Sequence, residues 1–507
     1  MARWFIDRTP RKAAPSVNAR RLLAGARFAR AEFSISACTT DAEAVVPGQV
    51  FFATSRGDDR NESESVISAL RRGASKVVVE RECPAAGPNQ VVVDNVAAAH
   101  ARTVHALAGD PADSMLVVGC TGSQGSGAVG IFLRSILAAA HRRHAIIGRR
   151  SWTDGSATRP LPAAHPRPES LATMLAAMKR QTVETAIVQF TPEDLASTSI
   201  ASGFRLAGAV VSQVADDPDE PRDLTVERRR AAARLVRAVM PGGCVVLNAD
   251  DPDCLILAGS NLEARVLTIG VDQPADLTAE VERLDPAGCR LRVRGLGDER
   301  AVDLHLLGVD RIRQALAAAA VAWDAGVEPE AIVEGLESVT HLPGRFEAID
   351  EGQPFDVRID QGCTSLEVAH ALNVLRSLHP GGRILCVLGA EGHRPREERR
   401  TLAAAAELRC DQLVFTSDNP RGEDPNAILD DLLSGCRSPG QAIVEPDRRA
   451  AIETALALAG PGDAVLIAGK GREAFQILSD RVVPFDDRRI AARYLRERFA
   501  QLRRHSA

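Results

Sequence analysis

Residues 115–130, MLVVGCTGSQGSGAVG, set out an apolar strand, a glycine-rich turn and a helix start, the order of a phosphate-binding loop. In a working loop of this kind, backbone N–H groups cradle phosphate oxygens, a lysine neutralises their charge, and a Ser or Thr hydroxyl holds Mg²⁺. Here the lysine position is Ser126, followed by Gly127 and Ala128. Thr121, Gly122, Ser123 and Gly125 remain as the loop's frame, and without the lysine the expected role of the glycines, Gly119 included, is a tight strand-to-helix turn. Far downstream, Asp418, Asn419, Pro420 and Arg421 spell DNPR, which on its own is an ordinary turn sequence.

Three stretches must position these residues. From about Ala31 to Asp110, short β-branched runs (VVPGQVFFAT, ASKVVVER, NQVVVDN) alternate with amphipathic segments such as SVISALRRGA, the rhythm of an α/β domain. The strand MLVVGC then opens a series, HAIIG, TAIVQF, AGAVVSQV, GCVVLNADD and ARVLTIG, with helical stretches between most of them, which predicts a doubly wound sheet. A polar, strand-rich patch (LTAEVERLDPAGCRLRVRG) and the Ala-rich helix RQALAAAAVAWDAG close that unit near His341, and LPGRFEAI opens a third alternation of strands and helices. The fold class expected is therefore α/β in three domains, 1–112, 113–341 and 342–507. RPLPAAHPRPES, Arg159 to Ser170, reads as an exposed loop, and no internal repeat is visible.

Composition excludes several classes. The 507 residues suit two to four domains, and 45% apolar with 25% charged residues is ordinary for a globular protein. A net charge of −5 gives no case for nucleic-acid binding. The first thirty residues are basic but hold no apolar run of signal-peptide length, and no stretch approaches the ~20 apolar residues of a membrane helix, so a cytoplasmic protein is expected. Ten scattered cysteines without a CxxC pair fit free thiols and argue against structural zinc. The runs RRR at Arg228 to Arg230 and EERR at Glu397 to Arg400 read as solvated helix faces. Glu193 and Cys363 are expected to be a solvated acid and a buried thiol.

Over nearly its whole length the chain resembles the Mur ligases, in particular the tripeptide synthetases of that family. The likeness runs through TTDAEAVVPGQVFFATSRG, GCTGSQGSG, VVLNADD, HLPGRFE, IDQGCTSLE, TSDNPRGEDP and AGKGREAFQ, in order and at the family's separations. It implies a uridine-nucleotide domain, a central ATPase-like domain and a C-terminal ligase domain, with ATP activating a substrate carboxylate as an acyl phosphate for attack by an amino acid's amine. It also implies where the parts fall. TGSQGSGA replaces the family's TGTNGKTT, so Ser126 and Gly127 stand for its Lys and metal-binding Thr. Gln189 stands for a metal-binding Glu, Glu193 for a His, Gln213 for an Asn and Pro218 for a His. Ala232 stands for a carbamylated Lys, and Gln314 for the asparagine beside adenine. Asp360 and Arg345 are nucleotide-side remnants, Asp360 alone surviving from the segment that now reads Asp360, Gln361, Gly362, Cys363.

The amino-acid side is kept. Asp418, Asn419, Pro420 and Arg421 reproduce the DNPR of family members that add meso-diaminopimelate. Arg394, inside GAEGHRP, keeps the Arg of GGDRD, and Gly469 and Glu473 match the Gly and Glu that hold the ligand's distal end, with Arg472 in place of a His. On the uridine side Thr40 and Asp41 persist, but the Ser-Arg that follows is Ala42 and Glu43, and a DGH near Asp59 has become DRN. The TTP element that contacts the peptide falls on Pro166, Arg167 and Pro168. The leading expectation is a pseudoenzyme of peptidoglycan-precursor synthesis that binds diaminopimelate, a UDP-muramoyl-peptide or an active Mur ligase partner, with no cofactor and no metal. The second is a working ligase with an altered nucleotide site, because backbone N–H groups alone bind phosphate. The third, a dinucleotide-binding oxidoreductase, rests on GxGxxG at Gly125, Gly127 and Gly130. Its spacing from the strand is wrong, and no acid ends the next strand.

Overall fold

The computed structural model describes residues 16–23, 26–28, 33–54, 59–161, 167–197, 199–215, 222–261, 263–342 and 344–505. Pro166 and Pro218 lie outside them, as do most of the basic residues near the N-terminus. Two compact units form, one of residues 1–278 with 294–298 and 313–335, the other of 279–293 with 299–312 and 336–507.

Besides a short antiparallel pair, Val17–Asn18 with Ser34–Ile35, two larger sheets lie among the described residues of the first unit. Arg27–Phe28, Gln90–Val92, Lys76–Val79, Val50–Phe52 and Cys38–Thr39 lie side by side in that order, with Val77, Val78 and Val79 wholly buried. The larger sheet contains β1 Leu116–Thr121, β2 His144–Ile147, β3 Thr185–Gln189, β4 Leu206–Val211, β5 Val239–Asn248 and β6 Arg265–Gly270. Its parallel order is 2-3-1-4-5-6. A strand buried on both faces needs apolar side chains on both, and so AIV within TAIVQ, and AGAVV, read as continuous apolar runs. Because β1 sits between β3 and β4, the turn leaving it opens at the reversal of strand order, where open α/β sheets bind ligands. Helix α1, Ser126–Ala139, begins there. The expected loop at 159–170 ends early: Pro168–Arg180 is helical, with Pro168 in its first turn and the Ser170 hydroxyl accepting from the Arg167 N–H at 2.9 Å.

In the second unit β7 Asp356–Ile359, β8 Ile384–Leu388, β9 Gln412–Phe415, β10 Ile443–Val444 and β11 Ala464–Ile467 form a parallel sheet in the order 7-11-8-9-10. Arg399 corrects the solvated reading of EERR. It is buried, 2.6 Å from Glu423 and 2.9 Å from Asp431, and so it anchors its helix, Arg396–Glu407, to the chain that follows β9. Among the described residues, no helix is long and apolar enough to cross a membrane.

Burial of one histidine should make the first unit's stability depend on pH. His105 stacks 4.8 Å from Phe204, neither ring nitrogen has a hydrogen-bond partner, and burial pushes its pKa down to about 4. An unfolded histidine titrates near 6.5, so this group's stabilisation is whole above about pH 6.5 and is lost as pH falls through about 4. Urea unfolding should therefore show a shallower decline in stability between pH 7 and pH 4.5 for His105→Phe than for the wild type. An unchanged slope would contradict it.

Candidate functional site

Three neighbouring strands, β11, β8 and β9, end on the same edge of the second unit's sheet and deliver its charged residues. The chain leaving β11 gives Gly469 and Lys470, that leaving β8 gives Glu391, and that leaving β9 gives Asp418 and Asn419. Gly469 has φ +109°, and a Cβ there would lie 2.7 Å from Asp418 Oδ2, so the close approach needs glycine. Lys470 is fully buried, its Nζ 3.1 Å from Asn419 Oδ1, 3.3 Å from Glu473 Oε2 and 3.4 Å from Asp418 Oδ1. Asn419 Nδ2 donates to Glu391 Oε1 at 3.0 Å and to Glu473 Oε2 at 3.1 Å, while its Oδ1 also accepts from the Ile477 N–H at 2.9 Å. The amide is thus aligned, oxygen toward the donors and nitrogen toward the acids. Pro420 is buried, and Arg421, at φ +55°, brings its guanidinium within 3.5 Å of Glu391 Oε1. Burial raises the Asp418 pKa, against the pull of Arg448 and Lys470.

Asp418, Asn419, Glu473 and Arg421 therefore converge as the sequence suggests. Arg394 does not join them. It donates to the Cys363 carbonyl at 3.0 Å and to Cys363 Sγ at 3.1 Å, with burial pushing that thiol up to about 12. Cys363 is thus a neutral partner of Arg394. Asp360, raised by burial, accepts from the N–H groups of Gly362 at 2.6 Å and Phe346 at 2.7 Å, and Arg345 lies 3.3 Å from Glu367. Those contacts hold the turn after β7 to the start of the helix Ser365–Leu378. Sequence reasoning missed Glu391 and Lys470. Each stands one place from a noted residue or glycine, in GAEGHRP and AGKGREAF, and the signal available was a charge set between small residues.

The loop in the first unit is braced by neutral groups. Gln189, at the end of β3, is buried and its Nε2 donates to the Gly127 carbonyl at 3.3 Å. Ser212 donates to the carbonyls of Gln124 and Thr121, Gln213 Nε2 donates to the Ala215 carbonyl, and Gln314 packs where a Cβ on Gly125 would lie 2.6 Å from its Nε2. Ser123 N–H is bonded to the Gln213 carbonyl at 2.9 Å. Gly122 and Gly125 have φ of +149° and +83°, and Gly130 packs inside α1 against Gln189. Glu193 is exposed. Ala232 is buried in the core of the helix Arg222–Arg237. The family's Mg²⁺ needs carboxylate and hydroxyl oxygens, and a Gln189 amide that turns its nitrogen to the loop does not fit that ion. Among the described residues, the cluster with ligand atoms spaced for a metal is Glu391, Asp418 and Glu473, where the Lys470 ammonium already stands. Of the residues expected on a uridine side, Asp41 is exposed and Thr40 half-buried beside it. Glu43 pairs with Arg72 and accepts from Ser68 Oγ at 2.8 Å.

The turn at the switch point and the charged strand ends of the second sheet define a Mur ligase framework, and the comparisons agree. The Mur ligase middle domain matches residues 120–322, and the Mur ligase glutamate ligase domain matches residues 344–471. The chain belongs to the Mur ligase family. It is 31% identical over 463 residues to the UDP-N-acetylmuramoyl-L-alanyl-D-glutamate–2,6-diaminopimelate ligase of Halalkalibacterium halodurans, covering 90% of this chain and 94% of that one. The Solibacter usitatus enzyme of the same name is 33% identical, covering 92% and 94%. A solved structure of a ligase of that name superposes with a TM-score of 0.68 at 22% identity, over 96% of this chain and 100% of the other. A folylpolyglutamate synthase from Thermotoga maritima gives 0.57 at 15% identity, over 73% and 90%, a likeness of fold.

Arg448 links two of the site's strand ends. Both its side chain and that of Asp487 are wholly buried, 2.8 Å apart, and it donates to the carbonyls of Ala468 at 2.8 Å and Ser417 at 3.4 Å. Arg448→Met should destabilise the second unit by about 3–5 kcal/mol by leaving Asp487 uncompensated, and Arg448→Met/Asp487→Leu by much less. Chemical denaturation of both variants tests this. Equal losses would contradict the pairing.

Proposed function

We propose that the chain acts at the step of peptidoglycan-precursor synthesis named in its relatives, joining an amino acid to a UDP-muramoyl dipeptide. The observation that carries this reading is the cluster of Asp418, Asn419, Arg421, Lys470 and Glu473, built on three adjacent strand ends. Similarity to ligases over 90% or more of the chain supports ligation over mere binding. In this reading the cluster binds and orients the amino acid, and the backbone N–H groups around Gly125 and the start of α1 carry the phosphate contacts that the missing lysine does not. Small-molecule substrates are its partners.

One observation favours a second reading, binding without ligation: Gln189 and Gln314 fill the neighbourhood of the loop with neutral amides. A lost charge-assisted contact costs about 1.5–3 kcal/mol, so removal of the lysine alone slows the reaction roughly 10- to 100-fold.

The purified chain, given UDP-muramoyl dipeptide, an amino acid and ATP-Mg, should form the lengthened peptide slowly, and Ser126→Lys with Gly127→Thr and Gln189→Glu should accelerate it. Absence of product while the amino acid still binds would establish the second reading instead.

A further inference from the structure

We propose that a cavity at the starts of β1, β3, β4 and β5 binds a small molecule made of one apolar ring and a neutral hydroxyl, the ring held among aliphatic side chains and the hydroxyl donating to Asp324. The site belongs wholly to the first unit and is independent of the amino-acid cluster. It is also independent of the glycine-rich turn, which leaves the other end of β1.

Two features of the backbone open this space. Leu206 of β4 pairs with Val239 of β5 and Gly208 with Cys244, so Met240 to Gly243 bulge out of register. Gly208 adds no side chain, and a Cβ there would come within 3.1 Å of Val321 Cγ2, so a larger residue would close the gap between strand and helix. The cavity that results holds about 230 Å³. Leu116 and Val118 of β1, Leu133 and Leu137 of α1, and Val321 of the helix Val309–Asp324 form its apolar wall. Leu116, Pro241 and Gly242 are exposed, so the space is reached from solvent. An aliphatic cavity of about 150 Å³ takes up benzene, and this one therefore has room for a substituted ring.

Asp324 supplies the charge in the lining. Arg265 Nη2 stands 2.7 Å from its Oδ1, and the buried Cys244 thiol donates to the same carboxylate. Burial raises the Asp324 pKa against the pull of Arg265, as befits a carboxylate that has given up water, and two oxygens with about four acceptor sites keep room for a further donor. The kind of donor follows from the charges present. Arg265 already balances Asp324, so a ligand ammonium would bring an unpaired cation into an apolar space, whereas a hydroxyl donates without adding charge. A phenol joins that donor to a ring of the right size, and a hydrogen bond to an ionised acceptor is stronger than one between neutral groups.

Calorimetry on the full chain with 4-ethylphenol, 4-ethyltoluene and 4-methylbenzylamine, three para-substituted rings of equal size, tests this. 4-Ethylphenol should bind about ten-fold or more tightly than either of the others. Asp324→Ala should remove the preference for the hydroxyl while the ring still binds. Ala325→Leu, at a half-buried position in the lining, should weaken all three about ten-fold or more by filling the space. Far-UV circular dichroism checks that both variants fold, and the wild-type preference with its loss in Asp324→Ala decides the matter even if Ala325→Leu does not. Equal binding of the three, tightest binding of the amine, a preference unmoved by Asp324→Ala, or no binding of 4-ethylphenol at millimolar concentration overturns the proposal.

Discussion

A buried ammonium organises the second unit's site. Lys470 has no exposed surface, and a charge in that position persists only where acceptors surround it. Asp418, Asn419 and Glu473 supply them, from two different strand ends. Asn419 then passes the constraint outward, since an amide oxygen committed to Lys470 and to the Ile477 N–H leaves its nitrogen for Glu391 and Glu473. Gly469 allows the approach, and Arg448 with Asp487 holds the chain ends from below. The carboxylates of Glu391 and Glu473 are oriented by this arrangement.

The turn after β1 is ordered by a different kind of contact. There the groups that brace the backbone are hydroxyls and amides, Ser212, Gln189, Gln213 and Gln314, and carbonyl oxygens take up their donors. Neutral donors of this sort fix a loop's shape as well as charged ones do, but they offer a nucleotide much less stabilisation. The same framework thus carries two sites of unlike electrostatic strength. One concentrates five charged side chains at its strand ends, and the other is a glycine-rich turn braced by neutral groups.

Much of this was legible in the sequence because parallel strands buried on both faces leave continuous apolar runs, and VVLNADD, RILCVLG and AVLIAGKG all became strands where the runs predict them. That DNPR and Glu473 come together was legible, whereas Arg394, expected beside them, lies elsewhere. What failed depended on tertiary pairing. Arg399 sits in a charged run that looks solvated, and only the fold reveals Glu423 and Asp431 on either side of it. Arg394 turns to Cys363, 31 residues away, through a contact with no periodic signal. Lys470 and Glu391 escaped notice for the same reason: each lies in a glycine-containing turn among other charges, and its meaning comes from strands that are neighbours in the sheet and distant in sequence.

The most direct test is a crystal structure of the full chain with a diamino acid bound. The amino acid should lie against Arg421 and Glu473, with Lys470 still buried against Asp418 and Asn419. A ligand bound elsewhere on the chain, or a Lys470 withdrawn from its acids to make room, would contradict the account.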